Sequence, residues 1–219
     1  MTVVAIDGPA GAGKSTVARA VARALQWRYL DTGALYRVVA LAALERGLEL
    51  DDGEALGKLA RELAIDVDGS RALVGGRDVT KEIRAPKVSA AVSGVSARPE
   101  VRSALIDLQR RASETSDVVI EGRDIGTTVV PDADVKIFLT ATLDERARRR
   151  CAELMDDCDE KDLASVRADL AARDEADAAR EASPLRRAAD AVEIDSTGKT
   201  IDDVVHEIVA ATEAAIRRG

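Results

Sequence analysis

Gly8-Pro9-Ala10-Gly11-Ala12-Gly13-Lys14-Ser15 is the stretch of sequence that decides the fold. It matches the pattern G-x-x-x-x-G-K-[ST], a glycine-rich loop whose backbone N–H groups surround phosphate oxygens. The loop follows the apolar run Val3-Val4-Ala5-Ile6 and precedes an alanine-rich segment, residues 15–25, with apolar side chains at helical spacing. A strand, a phosphate-binding loop and a helix are therefore predicted in that order.

The chemistry of such a loop assigns roles to its side chains. Lys14 is expected to neutralise charge on the β- and γ-phosphates, and the Ser15 hydroxyl is expected to coordinate Mg²⁺. The predicted ATP contacts within the loop are Gly8, Pro9, Ala10, Gly11, Ala12, Gly13, Lys14, Ser15 and Thr16. Motor proteins, GTPases, transporters and small-molecule kinases share this loop, so the motif alone predicts only ATP or GTP binding.

Composition is that of an ordinary globular protein, and one domain over residues 1–219 is predicted. The longest apolar stretches, such as Val38–Leu44, fall far short of the ~20 residues of a membrane span. The N-terminal segment lacks the features of a secretory signal. A net charge of −8 argues against general nucleic-acid binding, which needs a basic surface. We expect a cytoplasmic protein that binds neither membranes nor nucleic acid and, without an extended apolar stripe, is a monomer.

Alternating strand and helix patterns predict an α/β fold of the P-loop NTPase type. Besides the first strand, the sheet is expected to contain residues 29–31, 118–120, 135–139 and 191–194. Helices are predicted at about 34–46, ending at Gly47, and at about 86–113, interrupted at Arg98-Pro99. The expected architecture is a three-layer sandwich in which helices cover both faces of a five-stranded parallel sheet.

The alternation of strand and helix patterns is interrupted between residues 65 and 80. The segment Ile65-Asp66-Val67-Asp68 alternates in polarity, and glycine-containing turns are predicted at Gly69-Ser70 and Gly75-Gly76. This pattern predicts a small antiparallel sheet inserted into the α/β chain.

Two polar segments follow predicted strands and are candidates for binding a second ligand. They are Asp31-Thr32-Gly33-Ala34-Leu35-Tyr36-Arg37 and Glu121-Gly122-Arg123-Asp124. The carboxyl ends of parallel strands lie at one edge of a sheet, so both segments are expected to face the phosphate-binding loop across one cleft.

Five stretches together resemble the bacterial cytidylate kinase family. They are GPAGAGKST at 8–16, LDTGALYR at 30–37, EGRDIGT at 121–127, PDADVKIFL at 131–139 and RDEADAAREASPL at 173–185. Adenylate, thymidylate and shikimate kinases share the first stretch but not the combination. The resemblance implies a nucleoside monophosphate kinase core, an acceptor-binding insert at about 62–100 and a lid at about 146–185.

The resemblance also implies the reaction and its residues. ATP would donate its γ-phosphoryl group to CMP or dCMP, giving ADP with CDP or dCDP in pyrimidine nucleotide metabolism. The implied acceptor contacts are Asp31, Thr32, Gly33, Tyr36, Arg37, Arg102, Gly122, Arg123, Asp124, Arg173, Asp177 and Arg180. Of these, Arg37 and Arg123 would hold the acceptor phosphate, and Asp177 and Arg173 would reach the sugar.

Two positions depart from what is frequent in the family. Thr32 stands where serine is frequent, and because the hydroxyl is kept, reading of the base is expected to persist. Glu121 stands where an aspartate is often seen, and we expect it to approach Mg²⁺ through water.

The polarity of cytosine explains why Asp124 is the expected base-reading residue. The base presents an amino donor beside the acceptors N3 and O2, so a carboxylate accepts from the amine while donors such as Arg102 and Thr32 meet the acceptors. Uracil reverses part of this pattern, and each unpaired polar group would cost ~1–3 kcal/mol.

Arginines concentrate in the predicted lid of an otherwise acidic chain. They are Arg146, Arg148, Arg149 and Arg150, followed by Arg173, Arg180, Arg186 and Arg187. Interspersed acidic residues also fit an ordinary solvated helix. As a lid, the segment would exclude water and bring cations to the phosphoryl group in flight, with Arg150 on the ATP side. The predicted catalytic residues are Lys14, Arg123, Arg150, Arg173 and Arg180.

A phosphate monoester acceptor, with a second pKa of ~6, is already largely deprotonated and needs no general base. We accordingly assign no chemistry to His206, the only histidine, and interpret Cys151 and Cys158 as thiols without a role.

Two other classes stay open at this point. One is a kinase for UMP, dTMP or a non-nucleotide acceptor, which a panel of acceptors would reveal. The other is a regulatory module that binds ATP without transferring its phosphate.

Overall fold

The central sheet of the computed structural model, which describes residues 1–69, 71–155 and 157–217, contains five parallel strands. In chain order they are β1 (Val3–Asp7), β2 (Arg28–Asp31), β6 (Val118–Glu121), β7 (Val135–Thr140) and β8 (Val192–Asp195). Across the sheet the order is β2-β6-β1-β7-β8. Every residue of β1 and β6 is buried, as expected for strands covered on both faces. The predicted α/β fold with a five-stranded parallel sheet is confirmed.

Strand register brings the ends of three strands together. Ile6 of β1 and Asp31 of β2 both lie opposite Glu121, the last residue of β6. The phosphate-binding loop and both predicted acceptor segments therefore leave the sheet side by side at its carboxyl edge.

Helices form two layers and a separate pair. One sheet face packs against α1 (Lys14–Leu25) and α8 (Ile201–Ile216). The opposite face is covered by helices α2 (Thr32–Arg46), α3 (Gly53–Glu62), α4 (Pro86–Ala97) and α5 (Pro99–Thr115). The last pair, α6 (Leu143–Leu154) and α7 (Glu160–Ala178), forms a small apolar cluster with Ala10 of the phosphate-binding loop.

Local signals explain where the helices begin and end. The Asp31 carboxylate caps α2 by accepting from the Ala34 N–H at 3.0 Å, and Gly47 ends α2 with φ 65°. The predicted interruption at Arg98-Pro99 separates α4 from α5, because proline starts a helix but cannot continue one. Helix α3 was not predicted, although Asp52 caps it and its buried residues Leu56 and Leu59 are three apart.

The predicted antiparallel insert is also present. Strands β3 (Ile65–Asp68), β4 (Arg71–Val74) and β5 (Arg77–Asp78) form a three-stranded antiparallel sheet. Ser70, in the first predicted turn, lies outside the described residues.

The interpretation of Cys151 and Cys158 as thiols without a role is wrong. The two residues form a disulfide that joins the last turn of α6 to the segment before α7, with Cα atoms 6.0 Å apart. Helices α6 and α7 pack against each other, and the disulfide links residues that are seven apart in the sequence.

Within the described ranges, no helix has both the length and the apolarity needed to cross a membrane.

Gly57 is expected to be essential to the packing of α3 on α5. A Cβ atom added there would lie 2.6 Å from Glu100 Cβ and 3.1 Å from its backbone carbonyl, too close for either helix to accommodate without a shift. We expect Gly57→Ala to lower the free energy of unfolding by about 1–3 kcal/mol in urea titrations.

Gly94→Ala is the matched control, since Gly94 also lies within a helix, α4, but an added Cβ would meet nothing within 4 Å. Here the higher helix propensity of alanine should stabilise the protein by up to ~1 kcal/mol. Equal effects of the two substitutions would contradict the packing argument.

Candidate active site

A cavity of about 720 Å³ opens at the carboxyl edge of the sheet. It is lined by nearly every residue that the sequence predicted for ATP, acceptor or metal binding. From the phosphate-binding loop these are Ala10, Gly11, Ala12, Gly13, Lys14, Ser15 and Thr16. From the acceptor segments and the lid they are Asp31, Thr32, Gly33, Tyr36, Arg37, Arg102, Glu121, Gly122, Arg123, Asp124, Arg150, Arg173, Asp177 and Arg180.

Gly8 and Pro9 lie behind the cavity wall and hold the loop in place. A Cβ at Gly8, which has φ 150°, would overlap the carbonyl oxygen of Leu139 in the neighbouring strand β7. Pro9 offers its carbonyl oxygen to Lys14 Nζ at 2.8 Å. The loop thus packs directly on the sheet, and α1 begins at Lys14 with its N-terminus directed at the cavity.

Lys14 is buried among like charges. Burial lowers the pKa of its ammonium group to about 7, with a further contribution from the Arg123 guanidinium, while Glu121 opposes the shift. Without a ligand, the proton on Lys14 is therefore weakly held. A polyphosphate at this position would restore a favourable charge environment.

Glu121 lies at the point where the loop and the acceptor segments meet. Its side chain is buried, and burial raises its pKa, helped by the nearby Asp31 carboxylate, while Lys14 and the hydroxyls of Ser15 and Tyr29 oppose the rise. Two carboxylates crowded beside a serine hydroxyl form an oxygen-rich position suited to a hard divalent cation.

A buried ion pair forms the floor of the acceptor side. Arg102 Nη2 donates to Asp124 Oδ2, the guanidinium stacks 5.4 Å from the Tyr36 ring centroid, and Arg102 Nη1 donates to the Ser96 carbonyl at 3.2 Å. The Nε atom of Arg102 is buried and, among the described residues, has no hydrogen-bond partner. Donors and acceptors that a flat polar ligand can pair with are therefore already in place.

The Thr32 hydroxyl lies beside this pair and donates to the Glu121 carbonyl oxygen at 2.7 Å. Its proton is thus already engaged, and its lone pairs are left to accept from a ligand. This differs in detail from the predicted donor role of Thr32.

Asp177 connects the lid to the acceptor segment. Its carboxylate accepts from Arg123 Nε at 2.9 Å and from Arg180 Nη2, while Arg180 also donates to Ser96 Oγ at 3.2 Å. The Asp177 side chain is 1% exposed, so this bridge between α7 and the segment after β6 is buried.

Arginines that face the cavity repel one another. The pKa of Arg173 is lowered to about 10 by burial and by the Arg123 guanidinium, and its buried Nε lacks a hydrogen-bond partner in the described part of the chain. The pKa of Arg37 is lowered by burial too, and Arg84, Arg150 and Arg123 contribute. Among the described residues that line the cavity, eleven are cationic and six acidic, so the site favours anions in a chain of net charge −8.

Helices α6 and α7 contact the phosphate-binding loop through one pair of residues. Arg146 Nη1 donates to the Ala10 carbonyl at 3.0 Å and forms an ion pair with Asp174 Oδ2 at 2.5 Å, whereas Asp174 Oδ1 accepts from the Ala10 N–H at 3.2 Å. Arg146 and Asp174 belong to α6 and α7, so both helices are fixed to one residue of the loop. We call Arg146 and Asp174 the lid latch.

The arginines of the predicted lid segment take different positions in the structure. Arg150, predicted on the ATP side, lines the cavity together with Arg149, whereas Arg146 is in the latch and Arg148, Arg186 and Arg187 lie outside the cavity lining. Lining residues that no sequence pattern indicated include Arg19, Arg84, Ser96 and Lys199. No local motif marks them, because each reaches the cavity through its position on a packed element.

The chain is similar to a known protein family over most of its length. The sequence profile described as cytidylate kinase matches residues 4–214. The chain belongs to the cytidylate kinase family. It is accordingly a kinase, a phosphotransferase that acts on a phosphate group as acceptor.

Individual relatives in this family match along the whole chain. A cytidylate kinase from Symbiobacterium thermophilum is 50% identical over 212 residues, 94% of each chain. One from Desulfitobacterium hafniense is 48% identical over 219 residues, covering 99% of this chain and 94% of that one. The crystal structure of an uncharacterized protein from Eubacterium ventriosum, 12% identical, covers 97% of this chain with a TM-score of 0.55 and shares the fold.

Breaking the lid latch is expected to uncouple the kinase. Asp174→Asn removes the charge that holds Arg146 and displaces the adjacent Arg173, so kcat/KM for ATP should fall by about ten- to hundredfold. Water would then enter the site, and ATP hydrolysis without acceptor should rise relative to transfer, as measured by release of inorganic phosphate.

Asp169→Asn is the matched control, because Asp169 lies exposed on the same helix. It should leave both rates unchanged. A similar loss in the two variants would show that the latch does not act as described.

Binding of a triphosphate is expected to draw a proton onto Lys14. At pH 8, above its pKa of about 7, Lys14 is mostly neutral, and the bound phosphates raise that pKa. Uptake of roughly 0.5–0.9 proton per ATP analogue is expected from calorimetry in buffers of different ionisation enthalpy. Lys14→Arg keeps the charge but does not titrate, and it should abolish the uptake; undiminished uptake in this variant would assign the proton to another group.

Proposed function

We propose that this protein transfers the γ-phosphoryl group of ATP to CMP or dCMP, giving ADP with CDP or dCDP. The single observation that carries the proposal is the buried Arg102–Asp124 pair, which faces the same cavity as Lys14. Membership of the cytidylate kinase family supports it independently.

Recognition of cytosine is assigned to three side chains. The Asp124 carboxylate accepts from the exocyclic amine, with the Thr32 hydroxyl as a second acceptor, and the Arg102 guanidinium donates to the ring acceptors. Uracil would present a carbonyl to a carboxylate, leaving both groups unpaired. Base selection therefore rests on a buried carboxylate whose charge Arg102 already balances.

Arginines on both sides of the cavity hold the acceptor phosphate and the group in flight. Arg37 and Arg123 bind the phosphate of the acceptor, while Asp177 and Arg173 meet its sugar. The remaining acceptor contacts are Asp31, Gly33, Tyr36, Gly122 and Arg180. Mutual repulsion among these guanidinium groups is relieved when phosphate charge enters.

Transfer itself requires placement and charge neutralisation. The phosphate-binding loop fixes ATP, with Lys14 at the β- and γ-phosphates and Arg150 on the ATP side. Arg123, Arg173 and Arg180 neutralise charge that develops on the transferred group. The acceptor oxygen already bears negative charge, so it attacks phosphorus without a general base, and the closed lid excludes competing water.

The donor set fits a magnesium ion that arrives with ATP. Ser15 and, through water, Glu121 would hold it, and such an ion needs only one or two protein oxygens besides the phosphates. Within residues 1–69, 71–155 and 157–217, no three His, Cys, Asp or Glu side chains form a cage for a metal without substrate. When bound, the ion would shield negative charge on the β- and γ-phosphates.

The proposal includes how the chain is organised. The insert at about 62–100 carries the acceptor side, and the segment at about 146–185 is the lid, both within one domain. We propose that the enzyme acts as a cytoplasmic monomer.

Asp124→Ala should separate acceptor recognition from ATP binding. Loss of the carboxylate that accepts from cytosine leaves Arg102 buried without its counter-ion, and kcat/KM for CMP is expected to fall by roughly a hundredfold or more. The affinity for an ATP analogue, measured by calorimetry, should change by less than about twofold.

Asp132→Ala serves as the control, since Asp132 is exposed and lies outside the cavity lining. A coupled assay with CMP, dCMP, UMP and AMP completes the test. Turnover restricted to UMP or AMP would refute the cytosine assignment, and binding of both nucleotides without CDP formation would favour a regulatory module.

A further inference from the structure

Tyr29 is buried next to the candidate metal position and has no role in the function described so far. It lies two residues before Asp31 in β2, and Asp31 is directly opposite Glu121 of β6. Because side chains alternate along strands, Tyr29 and Glu121 share one face of the sheet as diagonal neighbours. The Tyr29 hydroxyl donates to Glu121 Oε1 at 2.5 Å.

The ring of Tyr29 is itself held firmly. It packs in the apolar cluster between the sheet and α1, and the Arg19 guanidinium of α1 lies 5.6 Å from the ring centroid. Burial and the adjacent Glu121 charge raise the pKa of the phenol, so it remains a donor across the physiological range. The hydroxyl is therefore a fixed, neutral donor aimed at one carboxylate oxygen.

Side-chain length makes this contact specific to glutamate. An aspartate at position 121 would be shorter by one methylene group, about 1.5 Å. A hydrogen bond of 2.5 Å would then stretch beyond the normal range, and the buried phenol would lose its partner. The longer carboxylate and the tyrosine thus form a matched pair.

We propose that Tyr29 is a positioning residue, fixing the Glu121 carboxylate beside Ser15 so that it faces the hydration shell of the metal carried by ATP. The inference rests on the proposed function for the metal and for ATP. It goes beyond that function by assigning the orientation of Glu121 to a second residue. A flexible glutamate would otherwise have several rotamers, and the phenol selects one.

Tyr29→Phe tests the proposal because it removes only the hydroxyl oxygen. The readout is Mn²⁺ binding, followed by electron paramagnetic resonance, to protein saturated with the β,γ-imido analogue of ATP and without acceptor. We expect Mn²⁺ to bind about tenfold more weakly, as is usual when a group that orients a metal ligand is removed. Affinity for the analogue in the absence of metal should stay unchanged.

Thr212→Val is the matched control for this readout. It also removes one buried hydroxyl, but Thr212 lies in α8 outside the cavity lining, and its hydroxyl donates to the Ile208 carbonyl oxygen at 2.8 Å. Its substitution should leave Mn²⁺ affinity as in the wild type.

A double-mutant cycle distinguishes positioning from general stabilisation. Glu121→Asp should weaken Mn²⁺ binding by itself, and adding Tyr29→Phe should cause no further loss, because the shorter carboxylate does not reach the phenol. Wild-type Mn²⁺ affinity in Tyr29→Phe, or losses that simply add, would overturn the proposal. If Tyr29→Phe does not fold, wild-type Mn²⁺ affinity in Glu121→Asp would overturn it instead.

The acceptor assay separates this inference from the proposed function. Failure of the wild-type protein to phosphorylate CMP would refute the proposed substrate without altering the Mn²⁺ comparison. Conversely, unchanged Mn²⁺ binding in Tyr29→Phe would remove the role of Tyr29 while CMP phosphorylation by the wild type persists.

Discussion

The pairing of β6 between β1 and β2 is the constraint on which the site depends. Asp7, the last residue of β1, reinforces it by accepting from the Ile125 and Gly126 N–H groups at 2.8 Å each. These two bonds fix the backbone that follows Arg123 and Asp124 to the strand that leads into the phosphate-binding loop. Burial raises the pKa of Asp7 to about 6, although the two N–H groups lower it. Burying this carboxylate therefore costs free energy, and the hydrogen bonds to Ile125 and Gly126 offset part of that cost. Donor and acceptor are thus placed relative to each other by the rigid sheet.

The cationic side chains that line the cavity determine which ligands the site favours. Lys14, Arg173 and Arg37 all have pKa values below their ordinary range, chiefly because burial removes water from the charged groups and also because neighbouring arginines repel them. We propose that phosphate groups relieve this repulsion when they bind. On that proposal the site binds the most strongly charged arrangement best, and that arrangement is the transferring phosphoryl group held between two nucleotides.

Helices α6 and α7, which we propose to be the lid, are attached to the rest of the site at two points. The latch fixes α6 and α7 to Ala10, and Asp177 of α7 holds Arg123 and Arg180. The Cys151–Cys158 disulfide joins α6 to the segment before α7. As a lid, the two helices would exclude water, which competes with the acceptor for the same phosphorus.

Local patterns in the sequence determined the phosphate-binding loop, the five parallel strands, the antiparallel insert and the polar segments at the strand ends. Those features depend on residues close in the chain, so composition and spacing suffice to predict them. Only the tertiary structure decided that Arg146 is in the latch and outside the cavity, that the two cysteines are joined, and that Tyr29 reaches Glu121. Tyr29 and Glu121 are 92 residues apart, and strand order and register alone bring them together. The spacing of residues along the sequence does not show which distant residues meet, because those contacts form only when the sheet and its helices pack.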